Sequence, residues 1–441
     1  IYDLVDQAYV ANLNALIGGD AASITQIEQA VLIGSSTNWE VVALASTSSD
    51  ATNQLVSITN ESVQSLDLIA SVLGDLGDID VEAYQLSADG RFLVVQTSSP
   101  VLANDAYPDA NDTSDIYLID RQNGLVERVS FIAGSEVNEP TKLSDIRIVN
   151  GELQVAFVTD GRYSTSDDNS NEVSGSQGFR SDTYIWSRSY DDSGFTGSAS
   201  FNLITSSTEG LASGFASTDF DTRARFTDTG VYFTSTSDLL VSNDSNASAD
   251  VFFRSNEGVI SRLTLDYIDE LSTGSELVDV SDSGRFVFIR SSSSEFGGLG
   301  EVDQIIKVDT TDNSYEVISN NGVVADSIAL FGESSASGRS FAFSSLASNL
   351  VESDLTPSSD FDLFVVASDG VVGQVYEWRS HSLLSDVRLR ASDLASTTEI
   401  ASAQTSLDGS FTLATMLSDS IDLQITRDLT SNETGRQISA A

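Results

Sequence analysis

Two short stretches hold the residues best suited to chemistry. DANDTSD places Asp109, Asn111, Thr113 and Asp115 at alternating positions, and DSNASAD places Asp244, Asn246, Ser248 and Asp250 in the same spacing. Oxygen donors at the first, third, fifth and seventh places match the first half of a calcium loop, and hard oxygen ligands favour Ca2+ over transition metals. Asp109, Asn111, Asp115, Asp244, Asn246 and Asp250 are therefore the candidate metal ligands. Both copies lack a glycine at the sixth place and a defined bidentate acid at the twelfth. The same residues also suit Asx-turns that lead the chain into a strand.

Other reaction chemistry is sparse. The single histidine, His381, lies between Ser380 and Ser382, a setting that reads as a solvated loop with no evident partner. No G-x-S-x-G elbow is present. There are no cysteines, so disulfides and thiolate metal centres are excluded. Paired carboxylates could hydrolyse a glycosidic bond, but among 66 acidic residues the sequence singles out no pair. Stacking on a glycan would need exposed aromatics. Trp186 and Trp378 are the tryptophan candidates outside the turn at Trp39.

Charge narrows the partners. The 66 acidic against 21 basic residues give a net charge of −45, and only Lys142 and Lys307 are lysines. Such a surface repels phosphate backbones and anionic lipid, which argues against nucleic acid and against membrane insertion. It suits a saline medium that screens self-repulsion. Abundant Asp and Ser with almost no Lys suggest a secreted protein of a marine or salt-tolerant bacterium. No apolar run approaches the roughly 20 residues that span a bilayer. The chain starts at Ile1 with no Met, basic segment or apolar h-region, and reads as a processed or excised form.

The elements that would position these residues form a repeat. A small polar turn followed by alternating apolar residues recurs as SADGRFLVV (87–95), VNGELQVAFV (149–158), TDTGVYFTS (227–235), SDSGRFVFI (281–289), SASGRSFAFS (335–344) and SLDGSFTLA (406–414). A weaker copy, SSTNWEVVALA, covers 35–45. A second element follows each turn, often led by Asp, as in DIYLIDRQNG (115–124) and DVFFRSNEG (250–258), and a third ends in Ser or Thr, as in VERVS (126–130). The period is two, and β-branched and aromatic residues dominate, so these are strands joined by Asp-Gly, Ser-Gly and Asn-Gly turns. With a more variable strand before each turn, each unit is a four-stranded antiparallel sheet. Units repeated at this interval signal a propeller.

Ser87, Asp89, Gly90 and Arg91, with Ser281, Ser283, Gly284 and Arg285, and Ser335, Ser337, Gly338 and Arg339, carry an S-x-[DS]-G-R turn ahead of the Asp-led strand. In this the chain resembles the WD40-like repeat of TolB-type (PD40-like) propellers over most of its length from about residue 27. The resemblance implies a propeller fold and is almost silent on activity.

Seven turn markers predict an all-β, seven-bladed propeller over residues 25–441, with Phe92, Phe157, Phe233, Phe286, Phe343 and Phe411 between blades. Residues 1–24 form an N-terminal extension outside the repeat, expected as a short helix ended by Gly18-Gly19 or as a docking segment, with a strand from Tyr2, Leu4 and the Tyr9 to Leu13 run as the alternative. Its Tyr2, Leu4, Tyr9, Leu13, Leu16 and Ile17 are the candidate partner-binding residues. The expected function is non-catalytic: a secreted or cell-surface structural or adhesive subunit of an extracellular assembly, self-associating or binding other surface proteins, with Ca2+ as the expected ion. The alternative is a carbohydrate-binding or carbohydrate-active propeller that uses the rim of its channel.

Overall fold

The computed structural model describes most of residues 80–350, the strand backbones between 24 and 65 and between 362 and 427, and a short pair at 2–3 and 8–9. Five antiparallel four-stranded blades follow one another. The first runs through Ile24–Ser35, Asn38–Thr47, Asp50–Thr59 and Val63–Ser65, and the second through Val81–Leu86, Phe92–Thr97, Asp115–Asp120 and Leu125–Arg128. The third comprises Thr141–Val149, Glu152–Thr159, Asp182–Asp191 and Gly194–Leu203. The fourth comprises Ala224–Thr227, Gly230–Ser235, Asp250–Ser255 and Ile260–Arg262. Glu276–Val280, Phe286–Ser291, Gln304–Asp309 and Ser314–Val317 make the fifth. From the second blade onward, the first strand of each blade touches the first strand of the next, so these strands lie nearest the axis.

Five blades, not the expected seven, is a correction with a local cause. The sixth turn, at Gly338, opens a sheet of three strands among the described residues, Ala329–Ser334, Ser340–Ser345 and Asp362–Ala367. Its fourth strand is expected over 373–380; the observed strand, Gly370–Gln374, pairs instead with Ser410–Ala414, the strand that follows the seventh turn. The connector at 381–398 holds a strand of its own, Val387–Asp393, flanked by Glu399–Gln404 and Ile421–Arg427. Val387 and Leu389 are buried. That strand alternates correctly but has no Gly turn ahead of it, so a search built on turns passes over it. The helix expected near the N-terminus is also corrected where it can be seen: Tyr2–Asp3 pairs antiparallel with Ala8–Tyr9. No α-helix occurs among the described residues.

The core is divided between blades. Strand residues alternate in direction, and here both directions are buried. Phe92 and Val94 join Ile116, Leu118, Phe157 and Trp186 between the second and third blades. Leu93 and Val95 join Tyr117, Ile119, Val42 and Leu44 between the first and second. Val287 and Ile289 face the fourth blade, while Phe288 stacks on Phe341 of the following sheet with centroids 4.2 Å apart. This explains the near-continuous apolar runs after each turn. Phe157, Phe233 and Phe343 are buried as expected, and Phe286 packs partly buried at the edge of such a core. The Phe411 side chain lies outside the described residues.

The S-x-[DS]-G-R turn has a stereochemical reason for each letter. Ser87 Oγ accepts a hydrogen bond from Phe92 N at 2.9 Å and donates to Asp89 Oδ1 at 2.6 Å. Gly90 N donates to Ser87 O at 2.7 Å with φ at 73°, a left-handed conformation that disfavours side chains. Arg91 then forks onto Asp120, the last residue of the next strand, at 3.2 and 2.8 Å. Asp120 accepts also from the backbone N–H groups of Gln122 and Asn123, closing the following turn. Ser281, Gly284, Arg285 and Asp309 repeat the arrangement in the fifth blade.

Candidate functional site

The expected calcium ligands fall into two groups. Asp109, Asp244 and Asn246 lie outside the described residues. Asp115 begins the third strand of its blade, is buried, accepts a hydrogen bond from Ser130 Oγ, and lies 3.6 Å from Arg128 Nη1. Asp250 holds the equivalent place one blade pair later, 3.7 Å from Arg262 Nη1. The same latch uses Asp182 with Thr205 in the third blade and Gln304 with Ser319 in the fifth, the latter at 2.7 Å. An oxygen acceptor at the head of the third strand thus pins a hydroxyl or guanidinium at the end of the fourth. Asn111 Oδ1 accepts from Thr113 N and Thr113 Oγ1 at 3.0 and 2.9 Å, an Asx-turn. Among the described residues, no group of three His, Cys, Asp or Glu is placed to hold a metal.

The polar groups that converge most closely lie on the strands nearest the axis. In the third and fifth blades those strands shift register at a β-bulge, between Leu143 and Asp145 and between Leu277 and Asp279. The bulge turns each aspartate towards the next blade. Asp145 Oδ2 accepts from Phe226 N at 2.7 Å, and Asp279 Oδ2 accepts from Ser334 N at 2.6 Å. Between them stands Arg225, buried. Its Nε donates to Asp279 Oδ1 at 3.0 Å, Nη1 to Ser144 O at 2.6 Å and Nη2 to Glu333 Oε1 at 3.0 Å. Arg223 donates to the same Glu333 oxygen at 3.2 Å. One guanidinium therefore joins the third, fourth and fifth blades and the sheet beyond.

Desolvation raises Asp145 from 3.8 to about 6, against the pull of Arg225 and of the N–H groups of Phe226 and Ile146. Burial alone would lower Arg225, but Glu333, Asp279 and Asp145 outweigh it and raise it above its ordinary value. The sequence pattern did carry a signal for this cluster: Asp145 and Asp279 stand where strict alternation from Leu143 and Leu277 calls for an apolar residue. Arg225 and Glu333 had none, because nothing local distinguishes them from surface charges.

A second feature lies at the outer edge of the second and third blades. A cleft of about 430 Å³ opens between the outermost strand Leu125–Arg128 and the strands Asp182–Asp191 and Gly194–Leu203, with Phe131, Trp186 and Phe195 among its walls. Arg188 pairs with Glu127 across it, and Arg188 and Arg128 stand over Phe195 and Phe131 at 5.6 and 5.3 Å. Trp186, expected near a strand end, is 1% exposed and belongs to the inter-blade core as well as the cleft. Trp378 and His381 lie outside the described residues, as do Leu4, Leu13, Leu16 and Ile17. Tyr2 and Tyr9 are register partners in the short N-terminal pair.

No family model and no curated protein matches the sequence. Solved structures do. The chain is similar to the β-propeller domain of the Trilobed protease from Pyrococcus furiosus, at 8% identity over 90% of this chain and 100% of that one, with a TM-score of 0.43. It is similar to an acylaminoacyl peptidase from Pyrococcus horikoshii, at 9% identity and a TM-score of 0.41, covering 86% of this chain and 51% of the peptidase. TolB from Acinetobacter baumannii aligns at 12% identity over 91% and 82% of the two chains, with a TM-score of 0.34. These likenesses concern the fold alone, and the five successive four-stranded antiparallel blades make the chain a β-propeller.

Proposed function

We propose that this protein is a non-catalytic propeller that serves as a structural or adhesive subunit outside the cell. The observation that carries this reading is the use of the carboxylates nearest the axis. Asp145 and Asp279 each engage both oxygens, with Ile146 N and Phe226 N for one and Arg225 Nε and Ser334 N for the other. Glu333 is held by two arginines. A hydrolytic pair needs one carboxyl ready to donate a proton and another open to water or substrate. Here the convergent carboxyls staple blades. The acidic surface, −45 with two lysines, supports a saline extracellular setting, where screening permits close association.

Two measurements test the reading. Purified full-length chain incubated with a panel of peptides and oligosaccharides should yield no cleavage products; turnover removed by Asp145→Asn or Asp279→Asn would overturn it. Light scattering across 0.05–1 M salt, on the order of Debye lengths from well above to well below 10 Å, should show association growing with salt. A chain that stays monomeric and binds no surface material under all these conditions is neither structural nor adhesive.

A further inference from the structure

The cleft between the second and third blades contains an incomplete ion pair. Arg188 Nη1 bonds Glu127 Oε1, yet Glu127 Oε2 and Arg188 Nε are buried without a hydrogen-bond partner. Buried polar atoms are nearly always satisfied. One acceptor and one donor, on two residues that line the cleft, are therefore left for a ligand that supplies both a donor and an acceptor. Phe131, Phe195 and Leu125 add apolar wall beside them, and a volume of about 430 Å³ is that of a small-ligand site.

We propose that this cleft binds a neutral saccharide. A hydroxyl both donates and accepts, so two adjacent hydroxyls of a sugar ring complete the pair: one donates to Glu127 Oε2, its neighbour accepts from Arg188 Nε. The C–H face of the ring meets the aromatic wall. An ionic ligand has no counter-charge to find, because Arg188 is matched by Glu127 and Arg128 by Asp115. The net charge of −45 also opposes sulfated or uronic chains. An extended peptide fits less well. The edge strand Leu125–Arg128 is four residues long, and Phe131–Ile132 turns back to pair with Ser135–Glu136, so little free edge remains to template a partner strand.

This inference rests on the adhesive reading above and names its ligand class. It is tested with the full chain on an array of neutral gluco-, galacto-, manno- and xylo-oligosaccharides beside sulfated and uronic ones, with calorimetry on the best-retained neutral probe. Retention of a neutral glycan, with Glu127→Gln weakening it tenfold or more while the chain stays folded, is the expected result; loss of a hydrogen bond to a charged group has about this effect. Binding should also change tryptophan fluorescence, and Trp186→Phe should abolish that change while the chain stays folded. Retention of no neutral glycan overturns the proposal, as does affinity indifferent to Glu127→Gln, or a fluorescence change that persists without Trp186. Retention of peptides alone, sensitive to Glu127→Gln, overturns it in favour of a peptide groove. Cleavage of a bound glycan would leave the cleft assignment standing and bring down the non-catalytic reading instead.

Discussion

The blades between residues 81 and 317 and the strands between 362 and 427 come from the same repeat, yet they assemble differently. In the second and fifth blades an arginine after the turn forks onto an aspartate at the end of the third strand, at 2.8 Å in both. The third and fourth blades use other guanidiniums. Arg147 donates to Thr227 O and Asn256 Oδ1 of the next blade, and Arg254 reaches back to Ile204 O. In the later region Ala367 stands where Asp120 and Asp309 stand, and Ser410 where Arg91 and Arg285 stand. The sixth unit keeps Arg339 but lacks the acceptor, and the seventh lacks the donor. There Gly370–Gln374 pairs with Ser410–Ala414 in place of its own sheet. The difference teaches that apolar alternation makes strands, whereas side-chain latches between turns decide which strands share a blade.

The largest effect should come from Arg225→Leu. Asp279 and Asp145 would keep their burial and lose their cation, and breaking a buried pair from one side costs about 3–5 kcal/mol. Denaturant midpoints should fall accordingly. Arg388→Ala, on an exposed position of the later strands, should change the midpoint by no more than about 1 kcal/mol equivalent, the range of an exposed charge interaction. Equal losses would erase the contrast between the regions.

Next comes Phe157→Ala, which empties a fully buried ring position in the core between the second and third blades, at about 3–5 kcal/mol. Hydrogen exchange should locate the damage. Amides of Asp115–Asp120 and Asp182–Asp191 should lose protection, while those of Gln304–Asp309, two blades away, should keep it.

Arg91→Ala and Arg285→Ala form a graded pair. Asp120 is fully buried and Asp309 is 16% exposed, while Arg285 itself is half in water. The first variant should cost about 1–3 kcal/mol and the second under about 1. A reversed order would show that the fork in the second blade adds nothing beyond the exposed one.

Acid should act in two directions. Asp145, raised to about 6 from 3.8, favours the folded chain when protonated. Its contribution is complete below about pH 4 and is lost as pH rises through about 6. Burial alone would raise Asp309, but Arg285 and Thr311 outweigh it and hold it at about 2, so its contribution is present above the ordinary value and lost as pH falls through about 2. The melting temperature should therefore peak near about pH 4, and Asp145→Asn should flatten the slope above the peak. An unchanged slope would remove Asp145 from the account. The smallest effect should be that of calcium or EDTA on melting, since Asp115 and Asp250 already face arginines. A rise of several degrees with calcium would show that Asp109, Asp244 and Asn246 complete a site.

Much of the fold was legible because turns and alternation are local. Gly90, Gly284 and Gly338 adopt the positive φ their turns require, and the apolar runs after them are buried as read. Blade number was not legible, since a turn marker announces a hairpin and not the partner of its outer strand. The candidate sites were mostly hidden for a similar reason. Asp115 and Asp250 drew attention by spacing, whereas their partners Arg128 and Arg262 sit across a turn. Glu127 and Arg188 are 61 positions apart, and only the packing of two blades makes them neighbours.

The partition of the core between successive blades has a further consequence. Each blade contributes one set of alternating residues forwards and the other backwards, so no single residue serves the whole molecule. Apart from the Arg225 staple, damage and repair in the apolar core are therefore nearest-neighbour affairs, as in stacked-repeat proteins. A duplicated unit need only match two faces to be accommodated, and a degenerate one weakens only the two junctions it shares. The three-stranded sheet and the re-paired strands after residue 329 are where the described residues depart from the four-stranded series.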